Sequence, residues 1–123
     1  MDVKAIAMGA AGFRALFGVA LLAAPGPVGG GWIGSDASRP ASQTMIRGLG
    51  GRDVGIGLGG LIALSRDDRP DIWLGAGAVS DLADFAATLA ARDHIPAGKW
   101  APSLAVIAVS TLVYGALAAA LAG

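Results

Sequence analysis

The chain has no cysteine. That absence excludes disulfides, thiolate zinc centres, iron–sulfur ligation and cysteine nucleophiles, and leaves the redox compartment unmarked. Glutamate is missing too, since all nine acids are aspartate, which removes motifs such as H-E-x-x-H. The single histidine, His94, lies in a polar stretch beside Asp93 and Pro96. A solvated loop position suits it, and no Ser-His-Asp set can be assembled around it. Net charge is zero, so there is no basic stripe for nucleic acid and no Lys/Arg cluster for lipid headgroups. Charge of either sign is scarce. Charged residues make up 15% and hydrophobic residues 54% of the chain, with a mean hydropathy of +0.64. A soluble domain carries about a quarter charged residues, and this chain lacks the polar surface to cover a globule in water.

What it has instead is long apolar runs. A helix needs about 20 mainly apolar residues to cross a bilayer. Four stretches qualify: residues 5–24, 44–64, 72–91 and 102–122. The predicted fold is therefore all-α, an integral membrane four-helix bundle with residues 1–123 as a single transmembrane domain. The connections agree. Pro25-Gly26-Pro27 stops the first run and opens a Gly/Pro/Ser-rich loop to residue 43. SRDDRPD (65–71) and RDHIPAGKWA (92–101) read as polar turns, and Pro102 suits the start of the last helix. Trp32, Trp73 and Trp100 fall in or beside connections, where an interfacial aromatic belt would place them. Lys4, the apolar run and Leu22-Ala23-Ala24 have the outline of a cleaved signal peptide. Arg14, in the middle of that apolar region, argues against it.

Within the second run, Gly51, Gly55 and Gly59 form a G-x-x-x-G-x-x-x-G ridge. A ridge without side chains lets another helix backbone approach closely. Packing inside one bundle is the plain reading, and a homodimer through the second span is the sharper one.

Five charges lie well inside the runs: Arg14, Arg52, Asp53, Asp81 and Asp84. Arg47 is nearer an end and can snorkel. Each charge at mid-span costs about 2.5 to 3.5 kcal/mol on insertion scales. Depth arithmetic supplies the compensation. Let side B carry residues 25–43 and 92–101, and side A the opposite ends. At 1.5 Å per residue all five charges lie roughly 10 to 15 Å below side B, and Ser110, Thr111 and Tyr114 of the fourth run reach the same level. Arg14 and Arg52 are thus expected within salt-bridge range of Asp53, Asp81 or Asp84. Asp81 and Asp84, three apart, can face one neighbour. Arg52 and Asp53, consecutive, diverge by about 100° toward different partners. A register-fixing ion network is one outcome. Buried pairs are poor stabilisers, however, and intramembrane ionisable groups mark functional sites by default.

Asp81-Leu-Ala-Asp84 is a D-x-x-D pair of the kind that holds magnesium in membrane prenyl- and phosphatidyl-transferases. Those enzymes need further acids on another helix, here only Asp53, and the nearby arginines repel a cation, so no metal is assigned. No G-x-G-x-x-G precedes a soluble helix, and no cofactor is called for.

Met8-Gly9-Ala10-Ala11-Gly12-Phe13-Arg14 resembles the Gly-rich, Arg-bearing first helix of small fluoride channels. The Asn-bearing second helix and Phe/Thr-rich third helix of those channels are missing, so their function is not carried over. A broader resemblance rests on Arg14 with Leu21-Leu22-Ala23-Ala24-Pro25, on Arg52-Asp53 with Gly57-Leu58, and on Asp81. In these the chain is similar to the small four-span actinobacterial membrane proteins grouped as a domain of unknown function. The resemblance implies topology and no activity.

Three functions fit. The first is a site binding or translocating a small anionic or protonatable solute, with Arg14 and Arg52 holding an anion and Asp53, Asp81 and Asp84 positioning them or exchanging protons. The second is an acid–base enzyme, hydrolase or isomerase in type, acting on a lipid-soluble substrate, with Asp81 or Asp84 as base and Tyr114 as acid. The third is a structural subunit of a larger membrane complex. Transport needs a water path to both surfaces, an enzyme needs a one-sided pocket, and a subunit needs neither. Orientation is undetermined by charge. Side A holds Lys4, Arg66 and Arg69 and side B holds Arg39, Arg92 and Lys99, so the positive-inside rule gives no direction. Both termini cytoplasmic in a multi-pass cell-membrane protein is the default expectation. Dual topology with antiparallel pairing is the alternative.

Overall fold

The computed structural model describes residues 2–123, and among them the fold is all-α, without strands. The described residues form five α-helices: α1 (Val3–Ala23), α2 (Pro25–Ile33), α3 (Pro40–Arg66), α4 (Pro70–Ala90) and α5 (Ala97–Ala120). Short 3₁₀ turns at Gly34–Ser38 and Arg92–His94 complete the connections. Asp2 caps α1 by accepting from the backbone N–H of Lys4 at 3.0 Å. Prolines open α2, α3 and α4, where their missing N–H leaves no helical bond unmade.

Two expectations are corrected here. Residues 25–43 are not a loop. Pro25 starts a nine-residue helix that packs on α1, α3 and α5. Its glycines disfavour a helix in isolation, by about 1 kcal/mol each. Tertiary contact overrides that: Gly29 lies against Ile46 and Ala37, and Trp32 Nε1 donates to Thr88 Oγ1 at 2.9 Å. Pro102 does not start the last helix either. Pro96 caps it, and Pro102 sits inside.

Four runs of sequence were expected to span a membrane; three helices are long and apolar enough to do so. These are α1, α4 and α5. The exception is α3. At 27 residues it has the length, but seven glycines between 48 and 60, with Arg52 and Asp53 among them, dilute its apolar character.

The long helices follow an arc in the order α1, α3, α4, α5. The register of α1 against α3 is antiparallel: Gly18 lies over Gly50, Ala15 over Gly57, and Lys4 Nζ reaches Asp67 at 3.1 Å. The buried stripe of α1 is Ala7, Ala11, Arg14, Ala15, Gly18 and Leu21; that of α3 includes Gly50, Asp53, Gly57 and Gly60. Small residues on both sides allow near backbone contact. A Cβ added to Gly57 would lie 2.7 Å from the Ala11 carbonyl oxygen and 2.7 Å from the Ala15 nitrogen.

The glycine ridge expected from sequence is therefore displaced. Gly51 and Gly55 face outward with nothing near them. Gly59 does pack, but against the Trp73 ring of the same chain. The α4–α5 pair is antiparallel as well, with Tyr114 seated on Gly77. Ala7, Ala11, Leu64, Leu74, Tyr114 and Leu117 form an apolar core on side A. The outer faces expose large apolar side chains, among them Leu16, Met45, Val79, Val109 and Leu112, far more than a water-exposed surface carries in one body.

Candidate functional site

The arc closes on side A, where Tyr114 of α5 meets α1 at the Ala10 carbonyl, and parts toward side B. Between them lies a cavity of about 430 Å³, and α2 crosses its side-B end. Its walls come from Phe13 and Phe17 of α1, Val28 and Trp32 of α2, and Pro102, Val106 and Ile107 of α5. Its floor holds Arg14, Asp53, Asp81, Asp84, Ser110 and Tyr114. Phe13 and Val106 are 71% and 69% exposed, so the mouth opens sideways between α1 and α5. Toward side A its lining ends at Tyr114, a member of the apolar core. The cavity is one-sided, and its size falls in the range of about 300 to 1,000 Å³ usual for small-molecule sites.

The helices bring Arg14, Arg52, Asp53, Asp81 and Asp84 together. Arg14 is buried, and its Nη1 donates to Asp53 Oδ1 at 3.0 Å while its Nη2 donates to Asp81 Oδ2 at 2.6 Å. Its guanidinium carbon lies 4.2 Å from the Tyr114 ring centroid, a cation–π contact. Ser110 Oγ donates to Asp81 Oδ2 at 2.6 Å. Arg52 forms a two-pronged pair with Asp84, at 3.0 and 2.7 Å, and also touches Asp53 Oδ1 at 3.3 Å. Fork-to-carboxylate geometry of this kind is the strongest form of side-chain ion pairing.

Details of pairing depart from the sequence reading. Asp81 and Asp84 do not share a neighbour, since Arg14 takes the first and Arg52 the second. Arg47 stays out of the network, its Nε donating to the Leu22 carbonyl. Thr111 bonds within its own helix, to Ile107. Tyr114 donates its hydroxyl proton to the Ala10 carbonyl at 2.7 Å, and both oxygens of Asp84 are taken by Arg52. The Tyr114 proton and the Asp84 lone pairs are thereby committed within the protein, which leaves Asp81 as the base candidate with an open oxygen. The terminal nitrogens of both arginines meet carboxylates, while the Nε of each is buried without a hydrogen-bond partner.

Several contributors escaped the sequence reading. Phe13 and Phe17, stacked with centroids 6.4 Å apart, form one wall. Thr88 ties α2 down, accepting from Trp32 and donating to the Asp84 carbonyl. The aromatic pair at i, i+4 beside Arg14 was the one signal available for the wall. No signal in the residues foretold α2. No protein-family model, curated protein or solved structure matches the chain.

Proposed function

We propose that this chain is an integral membrane four-helix bundle whose role is to bind a small solute at its intramembrane Arg/Asp site. In this reading α3 is the fourth span. Its two mid-helix charges are paired with α1 and α4, so they do not face lipid, and its length exceeds the roughly 20 residues a bilayer requires. The topology agrees with the one implied by the resemblance to small four-span actinobacterial proteins. The observation that carries the functional reading is the cavity itself, an apolar pocket floored by the charged network and reached from one side. A network serving only to fix helix register would need no space beside it. A one-sided pocket favours binding over a through-channel, and translocation would require a second conformation opening side A.

The test is a thermal-shift screen of a chemically diverse compound set on purified protein. Val106→Trp, which fills the mouth from an exposed position, serves as the control. A ligand at a hundred times its Kd stabilises by about 2.7 kcal/mol, several degrees in Tm. Compounds that raise the Tm of the native chain and not of Val106→Trp support the reading. A screen in which every stabiliser acts equally on both proteins refutes it.

A further inference from the structure

Resting on the pocket reading above, we propose that the solute is a hydrophobic organic monocation, with its positive centre held at the Asp53–Asp81 edge and its carbon body between α1 and α5. Charge balance is the first support. The network holds Arg14 and Arg52 against Asp53, Asp81 and Asp84, so it carries one more carboxylate than guanidinium, and Arg47 does not make up the difference. Each carboxylate has an arginine partner, but three share two guanidiniums, so the cluster keeps one net negative charge that a cation would neutralise.

Hydrogen bonding is the second support. Asp53 and Asp81 have side chains only 8% and 9% exposed, and both line the cavity. All their contacts with the protein fall on one oxygen each: Oδ1 of Asp53 and Oδ2 of Asp81. Among the described residues nothing donates to the other oxygen of either group. The arginines, by contrast, have their terminal nitrogens engaged by carboxylates, and only the Nε of each is without an acceptor among the described residues. The floor therefore presents open carboxylate oxygens beside guanidinium ends that are already paired.

The walls are the third support. Phe13, Phe17 and Trp32 are three of the chain's seven aromatic residues. Aromatic faces attract organic cations and do little for anions. The hydrogen bond from Trp32 to Thr88 fixes that ring in place. The sideways mouth suits a molecule that arrives dissolved in lipid and need not shed a full hydration shell.

Two probes of the same shape and opposite charge decide the matter: tetraphenylphosphonium and tetraphenylborate. Binding of each to the protein in lipid nanodiscs is measured by calorimetry, with empty nanodiscs as the blank. Saturable one-to-one binding of the phosphonium is expected, with none for the borate above the blank. Asp81→Asn should weaken the phosphonium about tenfold or more, equivalent to about 1.4 kcal/mol, and Val106→Trp should abolish binding. If Asp81→Asn does not fold, Asp53→Asn and Phe17→Leu carry the same comparison. Borate binding as tightly as the phosphonium, no saturable phosphonium binding, or phosphonium binding indifferent to these substitutions overturns the proposal. If the phosphonium fails while a neutral or anionic compound still stabilises the native chain and not Val106→Trp, the cation is wrong and the pocket reading stands. If no compound of any charge separates those two proteins, both fall.

Discussion

Arg14 is the residue on which the interior depends. It bridges Asp53 and Asp81 from two different helices and stacks on Tyr114. Arg14→Leu relieves one insertion penalty but leaves three carboxylates against Arg52 alone. Breaking a buried pair in this way costs about 3 to 5 kcal/mol. The variant is expected to insert, to lose ten degrees or more of Tm in detergent relative to the native chain, and to lose solute binding. Adding Asp81→Asn to it should restore part of the stability, because it removes one orphaned charge; a double variant no more stable than the single one would count against this account. Arg14→Lys should not substitute, since a single ammonium cannot hold both carboxylates in a fork. Ser110→Ala removes a neutral donor and should cost only about 1 kcal/mol, read in the same unfolding measurement.

Among the helices, α1 and α3 make the closest approach, and the glycines of α3 separate into two faces that respond oppositely to substitution. Gly57→Ala drives a methyl group into the backbone of α1 and should lower stability by about 1 to 3 kcal/mol. Gly55→Ala meets nothing and should raise stability by up to about 1 kcal/mol through helix propensity. Thermal unfolding of the two variants side by side checks this, and a Gly55→Ala variant that destabilised or dissociated an assembly would reveal a second copy packed there. This pair also shows what the sequence could and could not tell. The presence of long helices and the shared depth of Arg14, Arg52, Asp53, Asp81 and Asp84 were legible, because rise per residue fixes depth. The partner of each charge was not, since a rotation of one residue redirects a side chain by about 100°. With seven glycines on α3 several small-residue ridges can be drawn. The buried one is the ridge through Asp53, at 50, 53, 57 and 60, and the costly charge was the clue to which face turns inward. In α2 the Gly/Pro composition pointed to a loop, and only contacts remote in sequence make it a helix.

For the molecule as a whole, the count of spans fixes where the ends lie. Four spans place both termini on one side, and three would separate them. Fusing a reporter active only in the cytoplasm, and in parallel one active only outside, to each terminus reads this directly. Both ends cytoplasmic is expected. Ends on opposite sides would exclude α3 as a span, and signal from both reporters at one end would establish dual topology. The absence of cysteine makes a second measurement clean. Single cysteines at Ser35 and Lys99 should react with a membrane-impermeant maleimide from one side, and a cysteine at Arg66 from the other.

The distribution of ion pairs has a mechanical consequence. Small-residue packing welds α1 to α3, and the Gly77–Tyr114 seat joins α4 to α5. Between these two hairpins the centre is fastened by Arg14–Asp81 and Arg52–Asp84, while the far edge between α1 and α5 is joined at Tyr114, which meets the Ala10 carbonyl and the Arg14 guanidinium, and stands open toward side B. The bundle is thus built like a book, with its spine at α3–α4, its open edge at the cavity mouth, and two electrostatic clasps part-way across the page. On the proposal above, a cation at the free oxygens of Asp53 and Asp81 would draw on the carboxylates that hold the covers together, and occupancy would then be linked to opening angle.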